Sequence, residues 1–289
     1  MKIMKYLRNQ VYIYWLFIKN DIWATIIPGV IIALVAFSHY SFSLTGLILI
    51  LLKAVLYFNL YAYTFVLTNQ INSIEEDKVN KPYRPLVSGL VEKSSMAQRI
   101  ILATFIFLVV GYYFGVFEWA LLWVIISIFH NYIGHKHWFL KNTVCMTLGI
   151  FAIIGAGWGL VSEPSSSQLV WGFIVSLIFG ITGVIQDFRD QEGDRIIGRR
   201  TLPLSFGDYK SRFISVGLCI LSNLLFVVYI VIPSPKTVLN NSFSIVTLFL
   251  FCLICFRLIR FREKKADHNT YMILLFTFNW LLLSGISYI

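Results

Sequence analysis

Residues 43–89 read SLTGLILILLKAVLYFNLYAYTFVLTNQINSIEEDKVNKPYRPLVSG. The first part, 43–68, carries one charge, Lys53, and is long enough to cross roughly 30 Å of hydrocarbon, which takes about 20 helical residues. It then runs into amides and carboxylates (Asn69, Glu75, Glu76, Asp77) and closes on a basic segment punctuated by proline (Lys81, Pro82, Arg84, Pro85). The pattern returns after the apolar stretch 168–186, where residues 186–207 read QDFRDQEGDRIIGRRTLPLSFG. The chain has 14 acidic residues, and eight lie in or beside these runs: Glu75, Glu76, Asp77, Asp187, Asp190, Glu192, Asp194 and Asp208. Carboxylates gathered at the ends of lipid-crossing segments point to divalent cations held against a membrane-borne anion.

Working outward, the remaining sequence is built for lipid. Of 289 residues, 58% are apolar and 13% charged, with mean hydropathy +0.75, whereas a soluble domain is about 25% charged. Apolar windows recur at about 22–38, 43–68, 98–116, 118–134, 142–161, 168–186, 212–232, 242–259 and 270–288. They predict an all-α, polytopic membrane protein of about nine spans. With nine spans, the N-terminus and segments 69–97, 135–141, 187–211 and 257–269 share one side and, with soft ends, carry 22 of the 24 Lys and Arg. The positive-inside rule places the N-terminus and both acidic runs in the cytoplasm and the C-terminus outside. The net charge of +10 is thus a matter of orientation and of attraction to anionic lipid. Nucleic-acid binding is excluded, because no soluble basic domain is present.

The N-terminus starts basic but lacks a small-residue cleavage site, so no cleaved signal peptide is expected. Residues 9–20 read as an interfacial helix. Cys145, Cys219, Cys252 and Cys255 lie in apolar spans and read as packing residues, the CxxC spacing of the last two included. No linker divides the chain, and the outer loops near 39–42, 162–168 and 233–237 are short. The echo between the two runs suggests a single domain over 1–289. It would comprise two pseudo-symmetric halves, roughly 20–135 and 140–260, and a last helix.

In the second run Asp187, Asp190 and Asp194 stand at i, i+3 and i+7, one face of a helix. Three carboxylates on one stripe repel each other unless a cation sits among them. Mg²⁺ suits, since it takes oxygen ligands and bridges a few carboxylates to substrate phosphates. Gly193 and Gly198 let the helix end, and Arg195, Arg199 and Arg200 supply charge for phosphate oxygens. The competing account is a solvated loop whose Asp and Arg pair with one another. In the first run Asn69, Ser73 and Asp77 lie at i, i+4 and i+8, with Glu76 on the neighbouring stripe. Asp77 and Glu76 are the strong ligands there. Lys81 and Arg84, on a backbone fixed by Pro82 and Pro85, are suited to grip a diphosphate.

These motifs resemble the signatures of the UbiA superfamily of intramembrane prenyltransferases. Its usual first motif, N-D-x-x-D-x-x-x-D followed by a basic residue and R-P, is met by Asn69, Ser73 and Asp77 in register, then by Asn80-Lys81-Pro82 and Arg84-Pro85. Its second motif is met by Asp187, Asp190, Gly193, Asp194, Gly198, Thr201, Leu202 and Pro203. Tyr132 followed by Lys141-Asn142 is a third, weaker match.

The resemblance implies helices around a central cavity, with Mg²⁺ on the acidic motifs binding an isoprenoid diphosphate. The implied metal ligands are Asn69, Ser73, Glu76, Asp77, Asp187, Asp190 and Asp194; Asp77, Asp187, Asp190 and Asp194 are the implied catalytic residues. Lys81, Arg84, Lys141, Arg195 and Arg199 would bind the diphosphate. The implied reaction is prenyl transfer to a lipophilic acceptor, aromatic or quinone-precursor, within the membrane.

Gln70 and Ser73 stand where the family usually has Asp, with Glu75 and Glu76 near enough to compensate. This replacement resembles a branch that includes UbiA-type terpene cyclases, so cyclisation without an acceptor is the alternative. A metal-dependent transporter would place its ionisable residues near mid-membrane, whereas here nearly all sit at one interface. His130, His135 and His137 cluster near a span end and read as hydrogen-bonding residues rather than ligands. Lys53 is either functional or snorkels to the outer surface.

Overall fold

Local chemistry sets where the helices begin. Ser43 accepts from the Gly46 N–H at 3.0 Å and opens α3, Leu44–Asn72. Ser165 and Gln168 form a reciprocal capping box at the head of α8, Ser166–Thr182. Thr237 caps α12, Val238–Arg260, through the Asn240 N–H. Around these, the computed structural model describes residues 2–40 and 43–288 as an all-helical protein. Ahead of α3 stand α1, Lys2–Ile18, and α2, Ile26–Ser38; after it come α4, Ile74–Asn80, α5, Met96–Tyr113, and α6, Phe117–Tyr132. A π-helical segment, Phe139–Met146, leads into α7, Thr147–Gly159. The chain continues from α8 through a 3₁₀ turn, Gly183–Gln186, into α9, Asp187–Ile196, and then α10, Leu202–Phe206. It closes with α11, Asp208–Phe226, α12, α13, Lys264–Leu283, and α14, Gly285–Tyr288.

Among the described residues seven helices are long and apolar enough to cross a membrane, or eight if the bent pair Met4–Ile18 and Ile22–Ser38 is one span. Nine were expected. The shortfall lies in α2 and α6, whose 13 and 16 residues stop short of the roughly 20 that a full crossing takes. The first segment bends by 58° at residues 18–22, so the interfacial helix and the first apolar segment meet at an angle. The lipid-facing surface is correspondingly apolar, with Phe105, Phe249 and Ile220 each more than 60% exposed. This is a multi-pass membrane protein. Lys53 lies over the Phe114 ring at 5.6 Å, beside the end of α5 and away from the cavity, which favours the snorkelling account.

The two acidic runs meet at one end of the bundle. There α4 packs on α9, and a short parallel bridge joins the 136–138 loop to Arg200, with the Arg200 N–H donating to Lys136 O at 2.8 Å. Near the opposite end, His39 Nε2 reaches Gly285 O at 3.0 Å, tying the end of α2 to the chain's last turn. Of the loop at 39–42, residues 41 and 42 lie outside those described.

Candidate active site

Gly193 decides how closely the two runs approach. A Cβ there would stand 2.3 Å from Asn80 Nδ2 and 2.9 Å from Glu76 Cγ, so glycine leaves room for the α4 side chains that lie against α9. The sequence reading gave Gly193 a helix-ending role. In fact α9 runs through it to Ile196, and Gly198, at φ +67°, makes the turn beyond.

Across this contact each carboxylate finds a cation. Arg84 Nη1 donates to both oxygens of Asp77, at 2.8 and 2.7 Å, and Ser73 Oγ donates to Asp77 at 2.9 Å. Lys141 Nζ and Asn142 Nδ2 donate to the two oxygens of Asp187 at 2.6 and 2.9 Å. Arg199 Nη1 lies 2.8 Å from both Asp194 and Glu76, and so ties one run to the other. The cations expected among these carboxylates are therefore supplied first by the chain itself. The pairing of Asp with Arg raised by the competing account is present, but on buried side chains rather than in a solvated loop.

A partly open cavity lies beside these pairs. Its polar end is lined by Asn69, Glu76, Lys81, Arg84, Lys141 and Arg199, together with Asp190. Asp77, Asp187, Asp194 and Ser73 do not line it; they stand behind and hold Arg84, Lys141 and Arg199 in place. Arg195 does not line it either. It is exposed on α9, in a separate groove with Arg262 and Lys264. Glu75 turns to solvent and pairs with Lys78 at 2.7 Å, leaving Glu76 alone to substitute for a missing acid. Gln70 turns toward α1, donating to Phe17 O at 3.4 Å. Tyr132, part of the weaker match, is exposed.

The apolar end is walled by Tyr61, Phe65, Trp123, Ile126, Ile150 and Ile153. Tyr61 and Trp123 are stacked with centroids 3.9 Å apart and planes 8° from parallel. Tyr61 Oη donates to Gly149 O at 2.7 Å and Trp123 Nε1 to Tyr61 O at 2.9 Å, so both rings are fixed by main chain.

Several cavity residues went unnoticed in the sequence: Asp21, Arg189, Gln186 and Tyr271. Asp21 sits in the bend between α1 and α2. Burial raises its carboxyl pKa above the ordinary value, offset in part by Arg84, Lys81 and Arg189, and its Oδ2 has no hydrogen-bond partner among the described residues. Arg189 was hidden inside the second motif; its guanidinium lies 4.1 Å from the Tyr271 ring. A basic residue between two aspartates was the available clue. Burial, and then repulsion by Arg84, lowers the Lys81 pKa from the usual lysine value, with Asp190 and Glu76 pulling back. Arg199 goes the other way: burial opposes its charge, but Glu76 and Asp194 outweigh it.

The donor set suits a hard divalent cation. All the acidic side chains offer carboxylate oxygens, and Asp194 Oδ2 is buried without a hydrogen-bond partner among the described residues. Among the described residues no three His, Cys, Asp or Glu side chains converge tightly enough to hold a metal by themselves. Mg²⁺ typically takes one or two carboxylates and completes its shell with water and substrate phosphate.

The fold is that of a multi-pass membrane protein whose cavity joins a charged lining to an aromatic one. The UbiA prenyltransferase family pattern matches residues 23–282, and the chain belongs to that family. It is 33% identical to somaliensene A/B synthase of Streptomyces somaliensis over 91% of this chain and 88% of that protein. Two proteins of Hericium erinaceus are similar over 98% of this chain. They are the polyprenyl transferase eriF, 31% identical with 96% of it covered, and the diterpene cyclase eriG, 33% identical with 90% covered. A UbiA homologue from Archaeoglobus fulgidus, solved bound to GPP and Mg²⁺, shares the fold with a TM-score of 0.64. It is 13% identical, over 94% of this chain and 99% of that one.

Proposed function

We propose that the chain ionises an isoprenoid diphosphate in this cavity and passes the prenyl group to a lipophilic acceptor, aromatic or quinone-precursor, within the membrane. One observation carries this: a single cavity has a cationic mouth and an aromatic interior. Lys81, Arg84, Lys141, Arg189 and Arg199 would take the diphosphate oxygens, while Tyr61, Phe65, Trp123, Ile150 and Ile153 would take the hydrocarbon. When the allylic C–O bond breaks, both electrons leave on the diphosphate, and the preset cations stabilise that charge without moving. The carbocation left behind faces the rings of Tyr61 and Trp123, which favour positive charge and exclude water.

Asn69, Ser73, Glu76, Asp77, Asp187, Asp190 and Asp194 are the residues that would hold Mg²⁺, with Asp190 and Glu76 closest to the substrate. Bound there, the metal supplies Lewis-acid neutralisation of the diphosphate. Asp77, Asp187 and Asp194 have a second task in this scheme, because they aim Arg84, Lys141 and Arg199 at the cavity. The acidic runs and the N-terminus face the cytoplasm, a reading supported by the 22-to-2 distribution of Lys and Arg.

A second reading is cyclisation of the donor without an acceptor. It is favoured by the fixed Tyr61–Trp123 stack, a rigid surface on which a cation can be folded, and by the similarity to eriG. The test is to incubate protein in lipid vesicles with prenyl diphosphates of several lengths and Mg²⁺, with and without acceptor, and to analyse the extracts. Products that need acceptor support transfer, and cyclic hydrocarbon without acceptor supports the second reading. No product in any arm rejects both.

A further inference from the structure

His130 lines the cavity, and one of its ring nitrogens is fixed by a chain of side chains. The direction of every hydrogen bond in that chain can be assigned. Arg84 has only donors, so its Nη1 contact at 3.4 Å makes Asn69 Oδ1 an acceptor, and Asn69 Nδ2 donates to Asn131 Oδ1 at 3.1 Å. From the other side, the Thr68 hydroxyl donates to Thr64 O and Phe65 O at 3.2 and 3.0 Å, so its oxygen accepts from Asn131 Nδ2 at 2.7 Å. Both anchors present Asn131 Oδ1 to His130 Nδ1, 2.9 Å away. That oxygen carries no proton, so Nδ1 must. Nε2 then holds a lone pair and has no hydrogen-bond partner among the described residues.

The place of this lone pair is informative. His130 lines the cavity, and its ring lies 5.2 Å from Phe65, which is 5.3 Å from Trp123. The charged groups facing it from neighbouring elements are Lys141 and Arg199, with His135 beyond. A second proton on Nε2 would thus sit in a partly apolar wall beside two cations.

We infer that His130 Nε2 is the base that takes the proton whose loss ends the reaction, an assignment that rests on the function proposed above. The C–H bond next to the cationic carbon breaks and its electron pair becomes a C=C bond, or restores the ring of an aromatic acceptor. The proton goes to Nε2. From the imidazolium it passes to the departed diphosphate, which the proposal places against the same Lys141 and Arg199. The balance is prenyl diphosphate to alkene, or to prenylated acceptor, plus hydrogen diphosphate, with no redox partner required.

The test measures two quantities in one reaction: diphosphate released and proton-loss product formed. In His130→Ala the ratio of product to diphosphate should fall at least tenfold, with prenyl alcohol from water capture making up the difference, and added imidazole should restore it. An unchanged ratio overturns the assignment. So does loss of both quantities without rescue by imidazole, which makes the histidine structural. His130→Gln, closer in size, guards against misfolding and should shift the ratio in the same direction. If the wild-type chain releases no diphosphate, it is the proposed ionisation that fails, and the assignment falls with it.

Discussion

Arg199 is the residue on which both acidic runs depend. It lies 2.8 Å from Glu76 in one run and from Asp194 in the other, with all three side chains buried. Removing one partner of such a group strands charge in the interior, at a cost of about 3–5 kcal/mol. Arg199→Leu is therefore expected to lower the thermal unfolding midpoint in detergent far more than Arg195→Leu, whose side chain is exposed. Asp190 differs from the other three aspartates because it lines the cavity. Asp190→Ala should reduce diphosphate release on the order of 10²-fold, the scale of one electrostatic contact in a transition state, with little change in the melting curve. Lys81 adds a pH dependence. Its charged form is the one that binds an anion, and burial brings its pKa below the ordinary lysine value. Donor affinity should thus weaken as pH rises through an alkaline limb that lies below that value, and Lys81→Arg should move the limb upward. The charge stripe at Asp187, Asp190 and Asp194 was legible from spacing alone. The counter-ion of Asp187 was not, because Lys141 meets it across 46 residues of chain, a pairing that no periodicity encodes.

At the scale of elements, the contact of α4 with α9 brings the two runs together. Gly193→Ala would place a methyl group within 2.3 Å of Asn80 Nδ2 and 2.9 Å of Glu76 Cγ, so these side chains must shift. The expected cost is about 1–3 kcal/mol, read as a lower melting midpoint, together with loss of diphosphate release. Helix existence was legible wherever an apolar window exceeded about 20 residues. Helix length was less so, since α2 and α6 stop at 13 and 16 residues, within apolar windows that run on past their ends. The π-helical segment Phe139–Met146, which carries Lys141 and Asn142 toward Asp187, has no signature in the hydrophobic pattern. Asp21 was passed over for a similar reason. It enters the cavity through a 58° bend between two apolar segments, and a bend in the chain leaves no periodic trace.

For the molecule as a whole, the two halves proposed from the echo of the runs would each contribute one wall of a cavity that is cationic at one end and aromatic at the other. Its orientation can be tested with single cysteines in a cysteine-free background. Ser94→Cys, near the acidic runs, should react with an impermeant maleimide only from the cytoplasmic face, and Ser166→Cys only from the outer face. The reverse pattern would invert the topology. The central claim is that one site binds the diphosphate and sets the cation free in the adjoining chamber. It is tested most directly by measuring inorganic diphosphate released from a prenyl diphosphate by the reconstituted protein, with Mg²⁺ and with EDTA, beside Asp194→Ala. The account predicts release with Mg²⁺ that chelation and the substitution both abolish. Equal release by Asp194→Ala, or none by the wild-type protein, would contradict it.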